Sequence, residues 1–210
     1  MKLKDLGTIP FDLATLDSVY PNNKAIAAKA ARLETAGDII RLKRGLYVIS
    51  PSISGELINE YLVANHLYGP SYVTMHSALS YYGLIPESVN TIISMTTELS
   101  KRYINKIGNF SYIRCNYDYF SIGVVTSSLG NTNFLLASPE KSLCDLMIYT
   151  RGLNLRYISE IRRFLEEDIR FDMSELSNFN LELMKEIRRR GMKKNMISQL
   201  IKLIEYERTV

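Results

Sequence analysis

Lys24-Ala25-Ile26-Ala27-Ala28-Lys29-Ala30-Ala31-Arg32-Leu33-Glu34-Thr35-Ala36-Gly37-Asp38-Ile39-Ile40-Arg41-Leu42-Lys43-Arg44-Gly45-Leu46-Tyr47-Val48-Ile49 is the most informative stretch of this sequence. Its first half is alanine-rich, and Ile26, Ala30 and Leu33 stand at i, i+4 and i+7, which predicts a helix over Lys24 to Ala36 with one buried stripe. Gly37 follows where a left-handed residue ends such a helix. Two apolar runs then flank a short basic turn that ends in Gly45, the pattern of a β-hairpin. Upstream, Phe11, Leu13, Leu16 and Val19 predict a short helix over Phe11 to Val19 that stops at Tyr20-Pro21. Pro21-Asn22-Asn23 supplies the break and a candidate N-cap for the next helix.

Short helix, break, basic alanine-rich helix, glycine and basic hairpin, all within residues 1–50, predict an N-terminal winged helix-turn-helix that binds duplex DNA. A helix followed by a basic hairpin also occurs in scaffolds that never touch nucleic acid, so the joint occurrence carries the reading. Small alanines let a helix approach a major groove closely, while Asn22, Asn23, Lys24, Lys29 and Arg32 reach base edges and phosphates. Arg41, Lys43 and Arg44 on the hairpin are expected at the phosphate backbone, where cations add affinity with little sequence discrimination. The net charge is only +4, but its distribution is uneven. Lys and Arg outnumber Asp and Glu by eight to five over residues 1–50 and by thirteen to ten over residues 151–210, whereas residues 51–150 are slightly acidic. Basic ends favour polyanions through counterion release.

Pro51-Ser52-Ile53-Ser54-Gly55 is the candidate boundary, leaving residues 56–210 as a second, larger unit tied closely to the first. Helices are expected over Glu56 to Tyr68 and Met75 to Tyr82. Strands are expected at Thr91 to Thr96, Phe110 to Arg114, Ile122 to Thr126 and Phe134 to Ala137, with a turn at Gly130-Asn131. Ser138-Pro139-Glu140-Lys141 opens another helix, with Ser138 as cap and Leu143, Leu146 and Met147 facing inward. Helices at about Leu155 to Glu167, Leu181 to Arg190 and Met192 to Tyr206 complete the chain. The expected class is α+β: a winged helix, then a mostly antiparallel sheet, then a helical C-terminal part. The cluster Arg188-Arg189-Arg190-Gly191-Met192-Lys193-Lys194 reads equally as a DNA or acidic-partner contact and as cations gathered at a helix C-terminus.

No catalytic constellation can be assembled, so the chain is expected to bind rather than to catalyse. His66 and His76 lie on different predicted helices without companion motifs, and Glu140-Lys141 only faintly resembles a nuclease Glu-x-Lys element. Gly-rich phosphate loops and nucleophile elbows are absent. Cys115 and Cys144 lack partners at metal-ligand spacing and read as reduced thiols. Neither a metal nor a cofactor is expected. Many of the fourteen tyrosines fall in the middle of the chain and suit core or interface packing. No segment approaches a membrane span and the first residues lack a signal peptide's apolar stretch, so a cytoplasmic protein with no membrane partner is expected.

Several of these segments resemble one family. Ala30-Ala31-Arg32-Leu33-Glu34 with Gly37 to Val48, Leu67-Tyr68-Gly69-Pro70-Ser71-Tyr72-Val73-Thr74 and Ser77 to Glu87 match its pattern in order. So do Thr96-Thr97 with Ser100-Lys101-Arg102 and Ala137 to Leu143 with Asp145-Leu146. Together they span about residues 30–146 and are similar to the AbiE-type antitoxins of abortive infection, also described as transcriptional regulators of viral defence systems. The resemblance implies a winged helix that represses the operon's own promoter and a C-terminal domain that counteracts a nucleotidyltransferase toxin. Such pairs are type IV, in which antitoxin and toxin need not form a stable complex. Lys101 and Arg102, polar and basic between two β-rich runs, are the candidate residues for that second role. A stand-alone winged-helix regulator, using the second domain for a ligand or for dimerisation, is the alternative.

Overall fold

The computed structural model describes residues 2–21 and 24–209. A 3-10 turn at Leu3–Leu6 leads into β1 (Phe11–Asp12), α1 (Leu13–Val19), α2 (Ile26–Ala36), β2 (Ile39–Lys43) and β3 (Leu46–Ile49). The three strands form an antiparallel sheet in the order β1-β3-β2. The helix expected from Phe11 starts two residues later, because Phe11 and Asp12 pair with Tyr47 and Leu46 of β3. Asp12 instead caps α1: its carboxylate accepts from the Thr15 amide and hydroxyl, both at 2.8 Å, which lowers its pKa. Likewise α2 begins at Ile26 rather than Lys24, and the cap expected at Asn22 or Asn23 falls outside the described residues. Its stripe is as expected, with Ala30 and Leu33 buried among Phe11, Leu16, Ile39, Tyr47 and Ile49, and Ile26 packed against them. Gly37 ends the helix at φ 80°, a left-handed conformation that costs glycine little.

The expected linker is a single helical turn, α3 (Pro51–Ser54). Then come α4 (Glu60–Leu67), β4 (Ser71–Val73), α5 (Met75–Tyr81), β5 (Thr91–Thr96), β6 (Lys101–Ile104), β7 (Asn109–Arg114), α6 (Tyr117–Phe120), β8 (Val124–Leu129) and β9 (Thr132–Ala137). The α4 helix starts four residues later than Glu56, where the Asn59 side chain accepts from the amides of Tyr61 and Leu62 at 3.0 and 3.2 Å. The six strands form one sheet in the order β6-β7-β5-β4-β9-β8. Three of its pairings are antiparallel, as expected, while β5 with β7 and β4 with β9 run parallel. β4 and β6 are additions to the expected strands. The chain closes with α7 (Pro139–Tyr149), α8 (Ile158–Arg163) running into a π-helical turn at Phe164–Asp168, a 3-10 turn at Met173–Asn178, α9 (Leu181–Arg190) and α10 (Lys194–Glu207). Among the described residues, no helix is long and apolar enough to cross a membrane.

Two cores meet at the sheet. One joins α4 to Val73, Ile92, Phe110, Tyr112, Phe134 and Leu136, and also takes in Leu42 and Val48 of the N-terminal hairpin. The other joins α5 and α7 to the C-terminal helices, including Met184, Ile187, Leu200 and Ile204. Both cysteines are free and buried, and burial pushes the Cys115 thiol up to about 11.

The helix α7 is the axis of the second core, and Glu140 to Ile148 are all buried. A helix enclosed on every side must satisfy each polar group internally. Lys141, fully buried, sits 3.2 Å from the equally buried Asp145 and donates to the Tyr119 backbone carbonyl at 3.2 Å. The Tyr119 hydroxyl donates to Asp145 at 2.6 Å, Thr74 at 2.6 Å and Tyr72 at 3.1 Å. The ammonium also lies 3.0 Å from the centroid of the Tyr119 ring. Burial pulls the Lys141 pKa down while the Asp145 charge opposes it, and burial pushes Tyr119 and Tyr72 up, so both phenols stay protonated donors. Asp145→Ala or Lys141→Ala strands the opposite charge and should cost about 3–5 kcal/mol in urea unfolding. The double variant should lose less than the sum of the two, by at least about 1 kcal/mol, because the pair acts as a unit; additive losses would mean that the two charges do not support each other.

Candidate nucleic-acid interface

The outward side of α2 is small and basic. Ala27, Ala28, Ala31, Arg32 and Thr35 are exposed, as is Lys24 in the turn that leads into the helix. Thr35 folds its hydroxyl back to the Ala31 carbonyl at 2.9 Å, which leaves its methyl group outward on a low surface. Lys29 behaves otherwise: it is half-buried, with its ammonium 4.7 Å from the centroid of the Tyr20 ring, turned toward the end of α1. Asn22 and Asn23 lie outside the described residues.

The three hairpin cations separate completely. Arg41 pairs with Glu34 of α2 at 2.6 Å and stands over Tyr47, so its charge is matched within the fold. Lys43 donates to the Leu67 carbonyl at 2.6 Å, a free backbone acceptor at the C-terminal end of α4. Arg44 alone is exposed in the turn and, among the described residues, has neither ion pair nor hydrogen-bond partner. The expected row of three phosphate-binding side chains is therefore reduced to one, for a local reason. The strand register shifts between Arg41 and Lys43, which sends Leu42 into the core beneath α4 and carries Lys43 with it toward Leu67. Asn105, beyond β6, locks the same place by donating to the Leu42 carbonyl at 3.1 Å.

Lys101 and Arg102 are not in a loop. They begin β6, the edge strand, opposite Tyr112 and Ser111 of β7. Both are exposed. Lys101 lies 4.9 Å from the Tyr103 ring centroid and 5.5 Å from that of Tyr68, and its hydrogen bond to Tyr103 raises its pKa. Charge on so short a run conceals a strand from sequence reading, yet charge is how edge strands avoid unwanted pairing. The loop from β6 to β7 carries Asn105 and so touches the hairpin, placing this basic edge on the same rigid body as α2.

The basic cluster between α9 and α10 resolves mostly into local structure. Lys193 donates to the carbonyls of Met147 and Thr150 at 3.0 and 2.8 Å, capping the end of α7 rather than that of α9. Arg189 pairs with Glu186 at 3.5 Å and Arg188 donates to Ser198 at 3.1 Å, while Arg190 and Lys194 remain exposed. Glu140, the other half of the faint nuclease-like pair, accepts from the Ser138 hydroxyl at 2.7 Å and the Asn180 amide at 2.8 Å, fastening the start of α7 to the start of α9. His66 is exposed and His76 half-buried. Among the described residues, no three His, Cys, Asp or Glu side chains come together as a metal site would require.

No protein-family model matches this chain, and no curated protein matches it.

Because the Lys43 ammonium holds a helix end, Lys43→Met should lower stability by about 1.5–3 kcal/mol, the usual loss for a hydrogen bond to a charged donor. Arg44→Met should stay within about 0.5 kcal/mol of the parent protein. Thermal or urea unfolding of the two variants would distinguish them, and equal losses would remove the structural role from Lys43.

Proposed function

We propose that this chain is a DNA-binding antitoxin and transcriptional autorepressor of the AbiE type. Residues 1–50 act as a winged helix-turn-helix, with α2 as the reader in the major groove and the β2–β3 hairpin as the wing. The observation that carries the reading is the outer side of α2. Its alanines permit close approach to a duplex, and Lys24 and Arg32, like Arg44 on the hairpin, hold their charge without an internal partner. Lys29 and Arg41 have weaker claims, since Tyr20 and Glu34 engage them, and Lys43 is structural. The functional partner is a nucleotidyltransferase toxin, counteracted without a need for a stable complex, and the chain's contribution is binding rather than catalysis. Lys101 and Arg102 are the element for that role. They project charge from an edge strand whose pairing to β7 does not use their side chains, and core packing does not require them.

Binding to the duplex upstream of the protein's own gene tests the first half. Lys24→Glu with Arg32→Glu should abolish sequence-preferring binding while leaving the melting profile intact, and unchanged affinity at moderate salt would move the reader elsewhere. Arg44→Ala should make the salt dependence of log K shallower by about 0.9, one phosphate contact, and Lys43→Met should leave it unchanged.

The second half is tested in cells that carry the neighbouring toxin gene. Lys101→Glu with Arg102→Glu should impair rescue of growth and leave promoter repression intact; full rescue would place the antitoxin element elsewhere. Point variants are the right tool, because removing residues 1–50 would also strip Leu42 and Val48 from the core around α4.

A further inference from the structure

The six-stranded sheet has two open edges, and they differ in kind. β6 is four residues long and begins with Lys101 and Arg102. β8 is six residues long, Val124-Val125-Thr126-Ser127-Ser128-Leu129, and has neither charge nor proline. It lies within an uncharged run from Tyr119 to Pro139, in a chain where 23% of residues are charged. Edge strands are ordinarily protected by shortness, charge, proline or a bulge. β8 has none of these, and its register against β9 is unbroken from Val124 to Leu129.

We infer that β8 is the face on which a second copy of this chain docks, by antiparallel pairing of the two β8 strands about a twofold axis at Ser127. The two-residue turn Gly130-Asn131 makes Leu129 and Thr132 the hydrogen-bonded closing pair of the hairpin. The amide of Ser138 donating to the Gly123 carbonyl at 2.8 Å continues the same alternation at the other end. Backbone groups of Val125, Ser127 and Leu129 are thus spent on β9, while those of Val124, Thr126 and Ser128 point away from the sheet. The Tyr81 hydroxyl reaches one of them, the Ser128 carbonyl, at 3.3 Å, and a carbonyl has a second lone pair.

Pairing about Ser127 sets Thr126 of each copy against Ser128 of the other in the hydrogen-bonded positions. Val125 of each copy then stands against Leu129 of the other in the closer, non-hydrogen-bonded positions. Val125 and Leu129 are symmetric about Ser127, share one face of the strand, and are 39% and 49% exposed. Beyond Leu129 the apolar surface continues in a groove lined by Thr8, Leu57, Ile58 and Thr132, where Leu57 is 90% exposed. Charge selects the occupant. A twofold interface sets each strand against its own image, which on β6 would bring Lys101 and Arg102 into like-charge contact, whereas β8 meets itself without repulsion.

The full chain should sediment at twice the mass of one chain at micromolar concentration, with or without DNA, so the outcome is independent of the DNA-binding reading. Val125→Lys alone and Leu129→Glu alone should each weaken self-association by at least about tenfold. Circular dichroism would verify that both variants keep their fold. Combining the two should restore the dimer, because the twofold sets each introduced lysine against the other copy's introduced glutamate. A monomer at all concentrations would overturn the inference, as would a dimer unaffected by either single change. Single losses that the combination fails to repair would overturn the register about Ser127.

Discussion

Lys141 and Asp145 occupy successive turns of a helix from which water is excluded, and that constraint shapes much of the surrounding fold. A buried ion pair is tolerable only when its remaining donors and acceptors are met. Asp145 therefore gathers hydroxyls from three separate places: Tyr72 on β4, Thr74 just beyond it and Tyr119 on α6. The Tyr119 carbonyl in turn receives a hydrogen bond from Lys141. One carboxylate thus fixes where the β4 strand, the α6 turn and the α7 helix lie relative to one another. Hydrophobic contacts from α5, α8, α9 and α10 then close around a scaffold whose polar positions are already set.

A second constraint joins the N-terminal hairpin to the larger unit. Leu42 and Val48 are buried among Leu62, Val63, Ala64 and Leu67, and two polar ties, Lys43 to Leu67 and Asn105 to Leu42, close the seam. These contacts cross a boundary that the sequence marks with Pro51 and Gly55, yet that segment is one helical turn and behaves as a corner rather than a tether. The candidate reading helix, packed on the same hairpin through Leu33, Ile39 and Tyr47, inherits that fixed orientation. Whatever binds α2 meets a surface held at a set angle to the sheet and to its basic edge at β6.

Much of the fold was legible locally. Ile26, Ala30, Leu33 and Gly37 predicted α2 and its end; β5 and α9 fell where their patterns placed them, and the cap at Ser138-Pro139 and the turn at Gly130-Asn131 held. Of the candidate site, Lys24, Arg32 and Arg44 stood exposed as expected, whereas Lys29, Arg41 and Lys43 found partners within the protein. Nothing in the sequence distinguished Arg44 from Lys43. Both are cations in one turn, and only a one-residue register shift sends the second toward a helix end.

By itself the sequence determined what depends on neighbours a few residues apart: helical periodicity, caps, left-handed glycines, hairpin turns and the uneven placement of charge. The tertiary structure decided what depends on residues far apart in the chain. It made β6 a strand despite its two charges, because β7 supplied the pairing. It set β4 between β5 and β9 and enclosed α7 on every side. It turned Lys141 from a plausible surface residue of a helix start into the centre of a buried network. The physical reason is the same in each case: local propensity is fixed by the backbone and its nearest side chains, while burial, strand order and the partner of a charge are fixed only when distant segments close around them.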